Sequence, residues 1–306
     1  MSLDPDIAAI IEELNAGFPK VESMTGPQAR AAIRARLQPV TDPEPVGGIS
    51  NAAAAGPAGD VAVRIYTPAS GEVKTVVVFA HGGGFVFCDL DTHDGLCRAM
   101  ANGLDAVVVS VDYRLAPEHR WPAAAEDVYA ATLWVAERGA RHLIVAGDSA
   151  GGNLAAVTAV MARDRGGPTI AAQVLLYPAI AASLETESYV ACGEGYFNTR
   201  AAMAWYWDQY VPNHSDRQHP YASPGNAEMQ NLPPAVVVTA GFDPLRSEGD
   251  RYAQSLRAAG VPTIHRRYDG AIHGFMTMPA IGVGVRAREQ TWRDVRNLLA
   301  AQAPSE

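Results

Sequence analysis

Short apolar runs punctuated by amphipathic stretches organise most of this chain. Residues 60 to 67 alternate apolar and polar, the pattern of a strand with one solvated face near a sheet edge. Residues 75 to 80 (Thr-Val-Val-Val-Phe-Ala) do not alternate and predict a central strand, and 105 to 111, 143 to 147, 170 to 177, 235 to 240 and 262 to 268 predict further strands. Between them, helical periodicity predicts helices from Pro122 to about Arg138, Asn153 to Arg163, Arg246 to Ala259 and Val285 to Leu299. Strands that alternate with helices predict a mostly parallel, doubly wound α/β sheet covered on both faces.

Two regions break this rhythm. Before the first strand, Ile7, Ile10, Ile11 and Leu14 fall at i, i+3, i+4 and i+7, predicting a helix over 5–16, and Pro27 opens a second helix over Gln28 to Leu37. Pro39, Pro43 and Pro45 then mark a linker. These first residues either cover the core or simply extend it. Residues 178 to 234 contain no good strand, but Met203, Tyr206, Trp207, Tyr210 and Val211 make an aromatic helical stripe. An insertion of this size suits a lid over a site. There is no internal repeat.

Composition narrows the function. The 306 residues are 48% hydrophobic and 19% charged, as in an ordinary globular protein. A net charge of -9 argues against a nucleic-acid or anionic-membrane surface. Cys88, Cys97 and Cys192 lack the spacing of a disulfide framework or zinc site and read as buried free thiols. His214 and His219 have no carboxylate company, so no metal is expected there. An acidic N-terminus unlike a signal peptide, and no apolar run of spanning length, make the cytoplasm the expected location.

Leu143 to Gly152 carries the chemistry. A buried strand runs into Gly147-Asp148-Ser149-Ala150-Gly151, and a helix follows. Small residues flank a serine at the tip of such a turn, which presents its hydroxyl near a helix N-terminus that favours developing negative charge. The motif alone also fits a serine capping a helix. The strand before it and the helix after it favour the nucleophile elbow of α/β hydrolases. Such a serine needs an imidazole as base and a carboxylate to orient that imidazole. Among eight histidines, His273 is the one in a loop after the final strand. Asp243 follows the strand before it and is the preferred acid; Asp269, in an Asp-Gly turn, is its rival and Glu248 a weaker candidate. After strand 75 to 80 come His81, Gly82, Gly83, Gly84 and Phe85, too short for a phosphate loop. The N–H groups of Gly83 and Gly84, with that of Ala150, are the expected oxyanion donors, and His81 is expected to anchor the glycines through its ring. Asp112 to Glu118 reads as an ion-paired structural turn.

His81 to Phe85, Asp112 to Glu118, Gly147 to Gly152, Asp243 to Leu245 and His273 to Phe275 together resemble the successive motifs of the hormone-sensitive-lipase-like esterases. The resemblance covers about residues 60 to 300. It implies an α/β-hydrolase core over 46–182 and 226–306, capped by residues 1–45 and by an insertion at 183–225. It also implies cofactor-independent hydrolysis of small carboxylic esters of short or medium acyl chain, by proteins that are often dimers. Amide or lactone hydrolysis would use the same triad. A ligand-binding receptor on the same scaffold, as in the plant gibberellin receptors, lacks the catalytic histidine, whereas His273 is present here.

Overall fold

The computed structural model describes residues 2–37, 41–70, 73, 75–278 and 281–302. Pro39 of the expected linker lies outside them. The chain opens with three short helices, α1 (Pro5–Ala8), α2 (Ile11–Gly17) and α3 (Gly26–Arg34). The core then runs β1 (Gly48–Gly56), β2 (Gly59–Thr67), β3 (Thr75–Ala80), α4 (Asp94–Leu104), β4 (Val107–Val111), α5 (Ala123–Ala136), β5 (His142–Asp148), α6 (Ala150–Asp164) and β6 (Ala172–Leu176). After an excursion containing α7 (Glu187–Cys192) and α8 (Arg200–Tyr210), it closes with β7 (Ala235–Phe242), α9 (Arg246–Ala258), β8 (Thr263–Ile272) and α10 (Gly282–Ala300).

The eight strands form one sheet in the order β1-β2-β4-β3-β5-β6-β7-β8. Only the β1/β2 and β2/β4 pairings are antiparallel. The non-alternating runs have a direct cause: both faces are covered. Val78, Ala80, Leu143 and Val145 join a core beneath α5 and α6, while Val77, Phe79, Ile144 and Ala146 join a second core beneath α4 and α10. The mostly parallel α/β sheet is thus as expected.

Several expectations need correction. The alternating segment over 60–67 lies near the sheet edge as expected, but an unexpected strand, β1, pairs outside it from Gly48↔Thr67 to Gly56↔Gly59 and forms the edge. Its sequence, Gly-Ile-Ser-Asn-Ala-Ala-Ala-Ala-Gly, buries only Ala54, so the strand is held by backbone pairing and leaves no hydrophobic signature. The expected helix over 5–16 is two helices. Asp4 N–H donates to the Gly270 carbonyl at 2.9 Å and Asp6 accepts from the Gly282 N–H at 3.0 Å, docking α1 on the core, whereas Asn15 of α2 is tied to residues 195 and 197. Two anchorages in different directions break one short helix into two. The turn at Asp112 to Glu118 is ion-paired as expected, through partners outside it: Arg114 donates to Asp127 of α5 at 2.8 Å through Nε, and Glu118 pairs with Arg30 of α3. Finally, the loop expected through Asp269 and Gly270 is part of β8, which continues to Ile272. No helix among the described residues is long and apolar enough to cross a membrane.

Candidate active site

Sheet register assembles the site. Phe242 pairs with Ile272 across β7 and β8, so the next residues on each strand, Asp243 and His273, emerge side by side. Ala80 pairs with Gly147 across β3 and β5, which brings the segment from His81 to Gly84 beside Asp148 and Ser149. These are the carboxyl ends of parallel strands, where groups from distant parts of the chain converge.

At the tip of β5, Ser149 has φ 54 and ψ -117, a conformation L residues rarely adopt, and its side chain makes no helix cap. The surroundings hold it there. Its N–H donates to the Leu176 carbonyl at 2.9 Å, and its carbonyl accepts from Asn153 and Ala179 at 3.1 Å each. The turn packs so tightly that a Cβ on Gly151 would fall 1.9 Å from the Ala80 carbonyl oxygen, and one on Gly147 2.2 Å from that of Gly151. Only glycine fits at either place.

The Ser149 hydroxyl lies 2.8 Å from His273 Nε2, and His273 Nδ1 lies 2.7 Å from Asp243 Oδ2. Because an ionised carboxylate only accepts, Nδ1 carries the ring hydrogen and Nε2 is free to accept from the serine. Asp243 is fully buried, its other oxygen accepting from the Leu245 N–H at 2.9 Å. Tyr177 packs edge-on against the His273 ring, with centroids 5.1 Å apart.

The rival carboxylates are elsewhere. Asp269 is largely exposed and pairs with Arg267 at 2.7 Å. Glu248 is buried and accepts from the Ile180 N–H at 2.8 Å, anchoring the entry to the excursion; burial pushes its carboxyl well above the usual range. His219 accepts from the Tyr221 N–H at 3.0 Å, and no cluster fit to hold a metal occurs among the described residues. His81 donates from Nδ1 to the Gly82 carbonyl at 2.7 Å and stacks on Tyr113 with centroids 4.3 Å apart. Burial, with His93 close by, pushes its pKa down to about 4, so the ring is neutral.

Gly83 has φ 109, and a Cβ there would meet the Phe87 carbonyl oxygen at 2.2 Å. The N–H groups of Gly83, Gly84 and Ala150 find no hydrogen-bond partner among the described residues. Gly83 and Gly84 border a cavity of about 550 Å³, as do Ser149 and His273. Its walls come from both regions outside the rhythm of the core: Phe18, Pro19 and Ile33 from the N-terminal part, Phe197 and Tyr206 from the excursion. Phe18 and Phe197 meet edge to face with centroids 4.9 Å apart. Beside them Asn15 donates to the Gly195 carbonyl and accepts from the Phe197 N–H, each at 2.8 Å. Cys97 and Cys192 are buried, but Cys88 is half-buried and faces the cavity, burial pushing its thiol up to about 12.

Two residues of the site carried no readable role in the sequence. Asp148 was visible only as the variable position of the elbow motif. Its carboxylate is 4% exposed, accepts from the Gly82 N–H at 2.8 Å and pairs with His93 at 3.1 Å. Burial alone would raise its pKa, yet His93, His81 and the Gly82 N–H hold it below the usual carboxylate range. His93 belongs to no motif, and only the folding of the loop before α4 brings it to Asp148.

Residues 77–277 match a family model described as the alpha/beta hydrolase fold. Among characterised relatives, the chain is 42% identical over 273 residues to a carboxylic ester hydrolase, LipN, of Mycobacterium tuberculosis, covering 85% of this chain and 72% of LipN. It is 44% identical over 263 residues to the esterase LipI of the same organism, covering 80% and 81% respectively. Among solved structures it superimposes on a hyperthermophilic esterase from the archaeon Pyrobaculum calidifontis with a TM-score of 0.89, at 41% identity, over 97% of this chain and 99% of that one. With the strand order, the elbow and the glycine loop in place, the chain belongs to the hormone-sensitive-lipase-like family of α/β hydrolases.

Proposed function

We propose that the protein is a serine carboxylesterase acting on small esters of short to medium acyl chain through an acyl-enzyme, with Ser149 as nucleophile, His273 as base and acid, and Asp243 as the orienting carboxylate. The observation that carries this reading is the continuous line of hydrogen bonds from Ser149 through His273 to Asp243, at 2.8 and 2.7 Å, opening on the 550 Å³ cavity.

As Ser149 Oγ attacks the ester carbonyl carbon, its proton passes to His273 Nε2, and Asp243 offsets the charge on the imidazolium. The carbonyl electron pair becomes an oxyanion, which accepts hydrogen bonds from the N–H groups of Gly83, Gly84 and Ala150. Collapse of this intermediate breaks the bond to the alcohol oxygen, which takes the proton from His273 as it leaves. A water molecule then gives a proton to His273, attacks the acyl carbon and releases the carboxylic acid, restoring Ser149. No step calls for a cofactor or metal. A cavity of this size, walled by Phe18, Ile33, Phe197 and Tyr206, suits an apolar acyl group of several carbons. Residues 1–45 and 183–225 act as the cap that supplies those walls. The placement of His273 within reach of Ser149 supports an enzyme over a binding-only receptor.

Hydrolysis of p-nitrophenyl butyrate by the wild type and by Ser149→Ala tests the reading. We expect the variant to lose on the order of 10⁴-fold or more in kcat. Equal rates would sink it. An ester series graded by acyl length should peak at medium chain or shorter.

A further inference from the structure

Next to Ser149 lies a buried pair of titratable groups that the proposed chemistry does not use. Asp148 Oδ1 accepts from the Gly82 N–H at 2.8 Å and stands 3.1 Å from His93 Nε2. Its Oδ2 fills the space that a Cβ on Gly82 would occupy, 2.5 Å away, so the carboxylate and the first loop glycine are fitted to each other. His93 is 6% exposed and borders the same cavity as Ser149.

The contacts of the His93 ring fix how it meets the loop. Asp148 only accepts, so Nε2 carries a hydrogen and donates to it. On the other side of the ring, Nδ1 lies 3.0 Å from Thr92 Oγ1, and that hydroxyl is itself held by the Asp89 carbonyl at 2.8 Å and the Asp89 N–H at 2.9 Å. The ring is therefore locked between Thr92 and Asp148, and the cluster is a hydrogen-bonded brace set against the glycine loop.

We propose that His93 is a positioning residue for the oxyanion-binding loop: donating to Asp148, it fixes the carboxylate that holds the Gly82 N–H, and with it Gly83 and Gly84, and it draws off part of the Asp148 charge beside the place where the substrate oxygen turns negative. This rests on the reading of Ser149 as nucleophile. Left alone, a buried carboxylate one residue from the nucleophile would oppose the charge that the glycine N–H groups stabilise. With the His93 donor in place, the same carboxylate serves as a satisfied clamp between elbow and loop. His93 touches neither nucleophile nor base, so its effect passes through Asp148 and Gly82.

The test uses p-nitrophenyl butyrate turnover and inhibition by an alkyl trifluoromethyl ketone, which adds to the serine and places an ionised oxygen in the hole. For His93→Ala we expect kcat to fall on the order of 10²-fold, as when one oxyanion donor is lost. KM should stay within about threefold, and the ketone should weaken in step with kcat. Adding Asp148→Asn should then recover about tenfold of the lost kcat, because the amide oxygen still accepts from Gly82 while the uncompensated charge is gone. A side chain that merely filled space would give no such recovery. Should His93→Ala fail to fold, His93→Gln keeps a donor in a different shape and is expected to lose about tenfold in kcat, most of it recovered when Asp148→Asn is added. The proposal is overturned if the folded His93 variants keep wild-type kcat and ketone affinity, or if Asp148→Asn depresses a His93 variant further. If Ser149→Ala matches the wild type, the reading of the site fails instead; if Ser149→Ala is inactive and the His93 variants are intact, only the role of His93 falls.

Discussion

The rim of the sheet and the walls of the cavity are built in opposite ways. Along the rim, Asp243 and His273 follow directly from the pairing of Phe242 with Ile272, and the glycine loop follows from that of Ala80 with Gly147. Backbone register, buried on both faces, sets these positions. The walls are set by a few side-chain links between segments nearly two hundred residues apart, chiefly Asn15 with Gly195 and Phe197, and Phe18 with Phe197. A rim of this kind admits almost no adjustment, because moving one residue means moving a strand. Walls of the second kind yield to single substitutions.

The largest expected effect is on the rim. Asp243→Asn keeps the shape of the side chain but lets the amide donate, which favours the wrong tautomer of His273. We expect kcat to fall on the order of 10⁴-fold with little change in melting temperature. A variant retaining a tenth of wild-type kcat would remove Asp243 from its proposed role. Substitution in the wall should act more gently and on a different parameter. Phe18→Ala removes one face of the Phe18 and Phe197 contact, and we expect kcat/KM to change by less than about tenfold, mostly through KM and with the preferred acyl length shifted upward. If it instead lowered kcat uniformly across acyl lengths, the separation of rim from wall would not hold.

The smallest effect concerns the joint between the two. Glu248 holds the Ile180 N–H where the excursion leaves β6, and burial raises its carboxyl well above the usual range. Its folded pKa is raised, so the stability linked to its proton is fully present below the unfolded carboxyl value of about 4.3 and is lost as pH climbs toward the folded one. Glu248→Gln keeps the accepting oxygen without that proton. Its melting temperature relative to the wild type is therefore expected to improve by a few degrees between pH 5 and pH 8. A difference that stays constant with pH would mean that Glu248 is ionised in the fold.

The same contrast explains what could be read from the sequence. The rim strands were legible because parallel strands buried on both faces spell continuous Val, Ile and Ala runs, and the elbow was legible because its tight packing demands Gly147 and Gly151. Asp243 is preferred to Asp269 because an Asp before Gly reads as a turn former; Asp269 lies in β8 instead, yet it faces solvent while Asp243 meets His273. β1 escaped notice because an edge strand of small and polar residues that buries only Ala54 has no apolar face to reveal it. The break between α1 and α2 was hidden because partners in β8, α10 and the 195–197 segment impose it. His93 was hidden for a related reason: its place against Asp148 depends on Thr92 and Asp89 being folded around it.

The excursion between β6 and β7 leaves and rejoins strands that are already in register with each other, from Gln173↔Ala235 to Leu176↔Val238. The sheet is therefore indifferent to how long that detour is or what it contains. Over generations, the detour is free to lengthen, shrink or be exchanged between relatives while the reactive groups stay where they are, so that catalytic competence and molecular taste are inherited on separate stretches of the gene.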